Sequence, residues 1–224
     1  MIILKILIVS KNIVNITMFF SFYSIITIGD FMGKLIIISG PSGVGKGTII
    51  NKLKKIYQDN NKNLYVSVSY TTREKRKNER EGIDYYFISL EEFIKKINEN
   101  GLLEYNQYGT GKYYGTPKDK IFDYLDNGYD VILEIDVNGF IKVREQGIDF
   151  TSIFIAPPSI NDLEERLRTR NTETEEVINK RLLEARRELA SMNLYDNIIY
   201  NENDRIDDTV DSVLKVINEK KYVK

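Results

Sequence analysis

Nine residues, Gly40-Pro41-Ser42-Gly43-Val44-Gly45-Lys46-Gly47-Thr48, constrain this chain more than any other stretch. They follow the β-branched run Lys34–Ser39 and precede apolar residues at helical spacing, Ile49, Ile50, Leu53, Ile56 and Tyr57. The run predicts a strand buried on both faces of a parallel sheet, and the spacing predicts a helix over Gly45–Tyr57. A strand that turns through glycines into a helix, with a lysine at the turn's end, has the context of a phosphate loop. Gly40, Gly43 and Gly45 let the backbone curl so that its N–H groups converge on an anion, the helix adds its positive end, and Lys46 reaches the outer phosphates. A plain glycine-rich turn has no need of that lysine. One position departs from the usual pattern: Gly47 stands where a hydroxyl residue normally follows the lysine, and Thr48 comes next. Magnesium is therefore expected to be held mainly by nucleotide phosphates and water.

The rest of the chain alternates short apolar runs with amphipathic stretches. Strands are expected at Leu64–Tyr70, Tyr85–Ile88, Asp130–Val137, Thr151–Ala156 and Asn197–Tyr200. Ser89-Leu90-Glu91-Glu92 reads as a capping box opening a helix that stops at Asn100-Gly101. Thr116-Pro117 reads as an N-cap and first helical residue, with that helix ending at Asn127-Gly128. Ser159 is expected to cap a helix running to about Arg170, followed by helices over Thr174–Leu189 and Arg205–Glu219. This order predicts an α/β fold, a parallel sheet of the P-loop NTPase type flanked by helices. Residues 67–116, rich in Tyr, read as a smaller β-rich insert, which divides the core into 33–66 and 117–224.

Residues 1–31 differ from everything after them. Their only charges are Lys5, Lys11 and Asp30, and 18 uncharged residues lie between the last two. That length is near the lower edge of a membrane span, and a targeting peptide is a second reading. The third, preferred here, is translation starting at Met32, which places residues 1–32 outside the fold. The expected protein is then cytoplasmic, with no membrane partner unless the leader is real.

Composition narrows the chemistry. Lys and Arg number 32 and Asp and Glu 33, for a net charge of −1, so no overall basic field exists to hold a nucleic acid. The chain has no Cys and no His, which removes disulfides, thiolate zinc sites, cysteine nucleophiles and imidazole bases. What remains suits catalysis by positioning and electrostatics, as in phosphoryl transfer.

A second basic segment runs from Thr71-Thr72-Arg73 through Arg76, Glu79 and Gly82 to Tyr85-Tyr86-Phe87. At these spacings it resembles the signature of guanylate kinase, and with the phosphate loop the resemblance extends from Gly33 to the last helix. It implies ATP bound at Gly40–Thr48 with magnesium, and GMP bound as acceptor. Arg73, Arg76, Tyr85 and Tyr114 would serve the GMP phosphate, Glu79 would belong to the same GMP site, and Ser69, Glu104 and Thr116 would read the guanine. Asp136 and Glu134 would lie beside the ribose and metal-bound waters, and Asn201-Glu202-Asn203 beside the adenine. Catalysis would rest on Lys46 and Arg73 together with Arg166, Arg170 and Arg181, the last three from a lid at about 166–185. A non-catalytic interaction module of the same family, or a kinase for another nucleoside monophosphate, is the alternative; the intact Lys46 argues against the first.

The residues support this without the resemblance. Two arginines three apart beside a Tyr hydroxyl make a forked donor set for a phosphate monoester. Guanine presents N1–H and N2–H donors on one edge, a natural match for the carboxylate of Glu104, whereas adenine has no such pair. Glu134 and Asp136, two apart on a strand, share a face at the carboxyl edge of the sheet, where ligands of α/β folds bind. Capping of the turn at Asn138-Gly139 is the plainer role for Asp136. An ion pair with Asp162 is the plainer role for Arg166.

Overall fold

The computed structural model describes residues 33–109, 111–169 and 174–219. The expectations for residues 1–32 and for Arg170 fall outside the described residues.

Strand β1 (Leu35–Ser39) is wholly buried and lies at the centre of a parallel sheet. β7 (Asp130–Glu134) and β8 (Thr151–Ala156) flank it, and β2 (Leu64–Val66) and β9 (Asn197–Tyr200) lie outside them, giving the order β2-β7-β1-β8-β9. Because successive side chains of a strand face opposite ways, β1 feeds two cores at once. Ile36 and Ile38 pack with Leu53, Leu163 and Val213 under helices α1 (Lys46–Asp59), α5 (Ile160–Thr169), α6 (Glu175–Ala190) and α7 (Ile206–Asn218). Leu35 and Ile37 pack with Ile121, Leu133 and Phe140 under α3 (Lys118–Asp126) and α4 (Val137–Arg144). Parallel strands end at the same edge, so the loops after β1, β2, β7, β8 and β9 gather there.

A second sheet has the order β4-β3-β6-β5, formed by β3 (Tyr70–Thr71), β4 (Tyr86–Phe87), β5 (Leu102–Tyr108) and β6 (Lys112–Pro117). Helix α2 (Leu90–Asn98) covers it, and its buried Phe93 meets the rings of Tyr105 and Tyr113. The expected capping box opens α2: Ser89 accepts from Glu92 N, and Glu92 accepts from Ser89 N.

Three expectations need correction, and one hairpin adds to them. Leu64–Tyr70 is not one strand: after Val66 the chain leaves the first sheet, and Tyr70 pairs instead with Tyr86 and Gly115 in the second. Thr116 does not cap α3, because it still belongs to β6 and donates its hydroxyl to Glu104; Pro117 precedes the helix. The strand expected over Asp130–Val137 stops at Glu134, since Asp136 caps a helix over Val137–Arg144 that the apolar spacing had not revealed. The hairpin β5–β6 is an element the strand expectations lack, because the burial of its side chains runs in blocks and gives no period-two pattern to read.

Replacing Ser89 with Ala removes one half of the capping box. The expected loss is about 1 kcal/mol of stability in urea unfolding, with no change in the slope.

Candidate active site

The phosphate loop curls because two of its glycines occupy space that no side chain could share. Gly40 has φ +145°, and a Cβ there would lie 2.2 Å from the carbonyl oxygen of Ile155. Gly45 has φ +105°, and a Cβ there would lie 2.7 Å from Asn201 Nδ2. Asn201 is buried and fully engaged: Nδ2 donates to Val44 O (2.7 Å), Oδ1 accepts from Thr209 Oγ1 (2.9 Å), and its own N donates to Ala156 O (2.8 Å). The crown of the loop is thus tied to β8, β9 and α7. Val44, at that crown, is buried in the core.

Lys46 turns back over the loop, donating to Gly40 O (2.6 Å) and Pro41 O (3.2 Å), with Glu134 Oε1 at 3.9 Å. Burial pulls its ammonium below the usual lysine range, and the negative charges of Glu134, Glu188 and Asp136 oppose that fall. Glu188, on α6, was not anticipated from sequence; burial raises its carboxyl to about 7. No motif marked it, because only the packing of α6 brings it to the lysine.

A cavity of about 780 Å³ opens over the loop, lined by Gly40, Lys46, Thr48, Glu134, Asp136 and Glu188 among others. Gly47 is exposed and faces the same space. A second cavity of about 520 Å³ adjoins it, lined by Glu104, Asn106, Tyr108, Tyr114 and Arg181. Ser42, Ser69, Tyr85, Glu134, Ile135 and Asp136 line both. The two spaces therefore form one continuous cleft.

Glu104 is 7% exposed, with Oε1 accepting from Thr116 Oγ1 (2.5 Å) and Oε2 from Asn106 Nδ2 (3.3 Å). Burial, helped by the charge of Asp136 and opposed by the Thr116 hydroxyl and Lys142, lifts its carboxyl to about 7. Arg73 is bidentate on Glu79 (2.8 and 2.9 Å) and donates through Nε to Tyr114 Oη (3.1 Å), with its guanidinium near the rings of Tyr85 and Phe87. Glu79 also accepts from Arg76 N (2.8 Å), and the Arg73 hydrogen bonds hold its carboxyl down at about 2. Glu79 thus spends its oxygens on orienting Arg73. Neither Arg73 nor the exposed Arg76 is part of either cavity wall, whereas Arg80, not anticipated, lines the larger one.

Asp136 takes the plainer role foreseen for it, with Oδ1 accepting from Gly139 N (2.9 Å) as an N-cap, and it also lines the cleft. Arg181 donates to Ser42 Oγ (2.8 Å), which brings α6 onto the phosphate loop. Arg166 goes elsewhere. It donates to Asn201 O (2.6 Å) and Asn203 Oδ1 (2.7 Å) beside a third cavity of about 660 Å³ on the outer side of the loop. Its expected pairing with Asp162 is bridged instead by Asn203, whose Nδ2 donates to Asp162 (3.0 Å).

Among the described residues, no cluster of three or more acidic side chains is arranged to hold a metal directly. Glu134 and Asp136 nonetheless put hard oxygen donors across the cleft from the loop, which fits a hydrated divalent cation carried by phosphates. No described helix is long and apolar enough to cross a membrane.

Comparison with known proteins agrees with this arrangement. The family model described as Guanylate kinase matches residues 32–220. The guanylate kinase of Prochlorococcus marinus subsp. pastoris is 45% identical over 184 residues, covering 82% of this chain and 96% of that protein. The guanylate kinase of Clostridium tetani is 44% identical, covering 84% of this chain and 87% of the relative. The crystal structure of guanylate kinase from Anaplasma phagocytophilum superposes with a TM-score of 0.64 at 34% identity, covering 84% of this chain and 85% of that one.

Changing Asn201 to Ala removes the buried partner of the Val44 carbonyl and the Thr209 hydroxyl, leaving them the longer bonds from Arg166 Nη1 (3.4 Å) and to Arg205 O (3.3 Å). A stability loss of about 2 kcal/mol is expected from chemical denaturation, with weakened ATP binding measured by calorimetry.

Proposed function

The chain belongs to the guanylate kinase family, and on that premise we propose that it transfers the γ-phosphoryl group of ATP to GMP, giving ADP and GDP. The observation that carries this reading is the continuous cleft, with a phosphate loop at one end and the buried Glu104–Thr116 pair at the other. ATP occupies the loop Gly40–Thr48, its base in the outer cavity beside Asn201, Asn203 and Arg166. GMP occupies the inner cavity, its N1–H and N2–H groups donating to Glu104 and its phosphate meeting Tyr85, Tyr114 and Arg73. Ser69 lines the same space.

The transfer needs no covalent intermediate. An oxygen of the GMP phosphate bonds to the γ-phosphorus, the bond from that phosphorus to the β–γ bridging oxygen breaks, and ADP leaves with the electron pair. A phosphate monoester loses its second proton near pH 6, so the nucleophile is already an anion and no general base is required. Lys46, released from Gly40 O and Pro41 O, follows the charge onto the γ-phosphate. Arg73, fixed in place by Glu79 and Tyr114, is the nearer of the two arginines to the acceptor phosphate, and both it and Arg76 need a movement to meet it. Arg181, already on Ser42, and Arg166 bring the lid helices over the loop and exclude water, which would otherwise hydrolyse ATP. Asp136, which lines the inner cavity, would meet the GMP ribose, and with Glu134 it would face the water shell of a magnesium ion, which, when bound, neutralises the β- and γ-phosphate charge.

The kinase domain spans 33–224, with 67–116 as the acceptor-binding insert and 166–185 as the lid. The family match beginning at Met32 supports placing residues 1–31 outside it. A cytoplasmic site suits an enzyme of ATP and GMP.

A coupled assay with GMP, AMP, CMP, UMP and dTMP is expected to show turnover with GMP far above the others; comparable rates with another acceptor would overturn the reading. Lys46→Ala is expected to lower kcat by about 10²–10³-fold while calorimetric GMP affinity stays within about twofold. Glu104 sets a pH dependence whose sign is fixed. Its carboxyl, near 7 when the pocket is empty, must be ionised to accept from guanine, so GMP binding below pH 7 displaces a proton. Affinity is expected to be flat above pH 7 and to fall about tenfold per unit below it, beyond any change from the phosphate itself. Glu104→Gln removes that slope.

A further inference from the structure

Strand β5 lies at the edge of its sheet, paired only with β6. Its other side is met by polar groups from α4 and the residues around it. Gln146 Nε2 donates to Leu103 O, and Lys142 Nζ donates to Tyr105 O and to Asn106 Oδ1 (2.7 Å). These rungs cover an otherwise open strand edge, which is reason enough for them. The rung nearest the cleft is of another kind. There the hydroxyl of Tyr108 donates to Asp136 Oδ2, while Asp136 Oδ1 accepts from Gly139 N (2.9 Å). No strand-edge group is satisfied by it. Both oxygens of a carboxylate that lines the inner cavity are pinned instead, one by the first turn of α4 and the other by Tyr108.

The surroundings make this a directed contact. Tyr108 and Glu104 lie four residues apart on β5 and so share a face of the strand, and both line the cavity. The ring of Tyr108 meets Tyr114 edge-on at 5.7 Å, and Tyr114 accepts from Arg73. Tyr108 therefore stands between the base-reading and phosphate-binding ends of the pocket. Burial and the Asp136 carboxylate both push its hydroxyl above the usual tyrosine range, so it remains a donor at any physiological pH.

We propose that Tyr108 is a positioning residue of the acceptor pocket: by holding the Asp136 carboxylate in one orientation it raises the affinity for GMP. It takes no part in transferring the phosphoryl group. The proposal rests on the reading of this cavity as the acceptor site.

The test is a double-mutant cycle on the full chain, reading GMP and ATP binding by calorimetry and thermal unfolding in parallel. Tyr108→Phe keeps the ring contact with Tyr114 and removes only the hydroxyl. Asp136→Ser removes the partner carboxylate but leaves a good N-cap for α4. Tyr108→Phe is expected to weaken GMP binding about 5–10-fold, the worth of one hydrogen bond to a charged group, with ATP binding within about twofold of wild type. In the Asp136→Ser background the same change is expected to have no further effect, because the two residues act as a unit. Unaltered GMP affinity in Tyr108→Phe, losses that simply add, or a shift in unfolding alone overturns the proposal and leaves Tyr108 as one more edge rung. A wild-type chain that neither binds nor phosphorylates GMP overturns the acceptor-site reading itself, and this proposal with it.

Discussion

The amide of Asn201 lies where a side chain on Gly45 would have to go, and from that one contact much of the site follows. By bonding Val44 O and Thr209 Oγ1 at once, Asn201 joins the phosphate loop to the end of β9 and to α7. Gly40, pressed against the Ile155 carbonyl, fixes the other side of the curl to β8. A loop whose purpose is to aim N–H groups at an anion must hold its shape when the anion is absent, since any ordering left to the moment of binding weakens it. Here the ordering is supplied by the fold. The cavity beside Arg166 and Asn203 lies just outside the same anchor.

Charge is arranged with the same economy. Three of the cations intended for phosphate are each kept occupied by a group they can leave or share. Lys46 rests on two loop carbonyls near Glu134, Arg73 is forked onto Glu79, and Arg181 rests on Ser42. A buried cation without such a partner would lose its proton or disorder the loop around it. Carboxylates tell a complementary story. Glu79 is held well below the usual range by Arg73, whereas Glu104 and Glu188, buried with little compensation, are each lifted to about 7. The first is a structural acid with a fixed charge. The other two sit in the cleft in a state that a bound ligand can change.

How much of this could be read from the sequence depended on how local each signal was. The β-branched run at β1, the glycines and Lys46, the capping box at Ser89 and the Ser159 cap of α5 are all short-range patterns, and the structure contains each of them. The second sheet was legible as a Tyr-rich, β-rich insert with one strand at Tyr85–Ile88, which contains β4, but β3, two residues long, owes its existence to partners far along the chain. Asp136 looked like the end of a strand because Ile135 and Val137 flank it. In fact the chain turns there, and the carboxylate caps α4. Thr116 before Pro117 looked like a cap, but a buried carboxylate claimed its hydroxyl first.

By itself the sequence determined that the chain makes a parallel α/β core, where the phosphate loop lies in it, and which residue types would meet a nucleotide. Those properties depend on periodicity, glycine placement and side-chain chemistry within a few residues. Only the tertiary structure decided that the charge of Glu188 is felt at Lys46, that Arg166 turns to Asn201 and Asn203 while Arg181 turns to Ser42, and that Tyr108 closes on Asp136. Each of those pairs joins elements far apart in the chain. Whether they meet is fixed by how helices and strands pack around β1, and no local pattern carries that information.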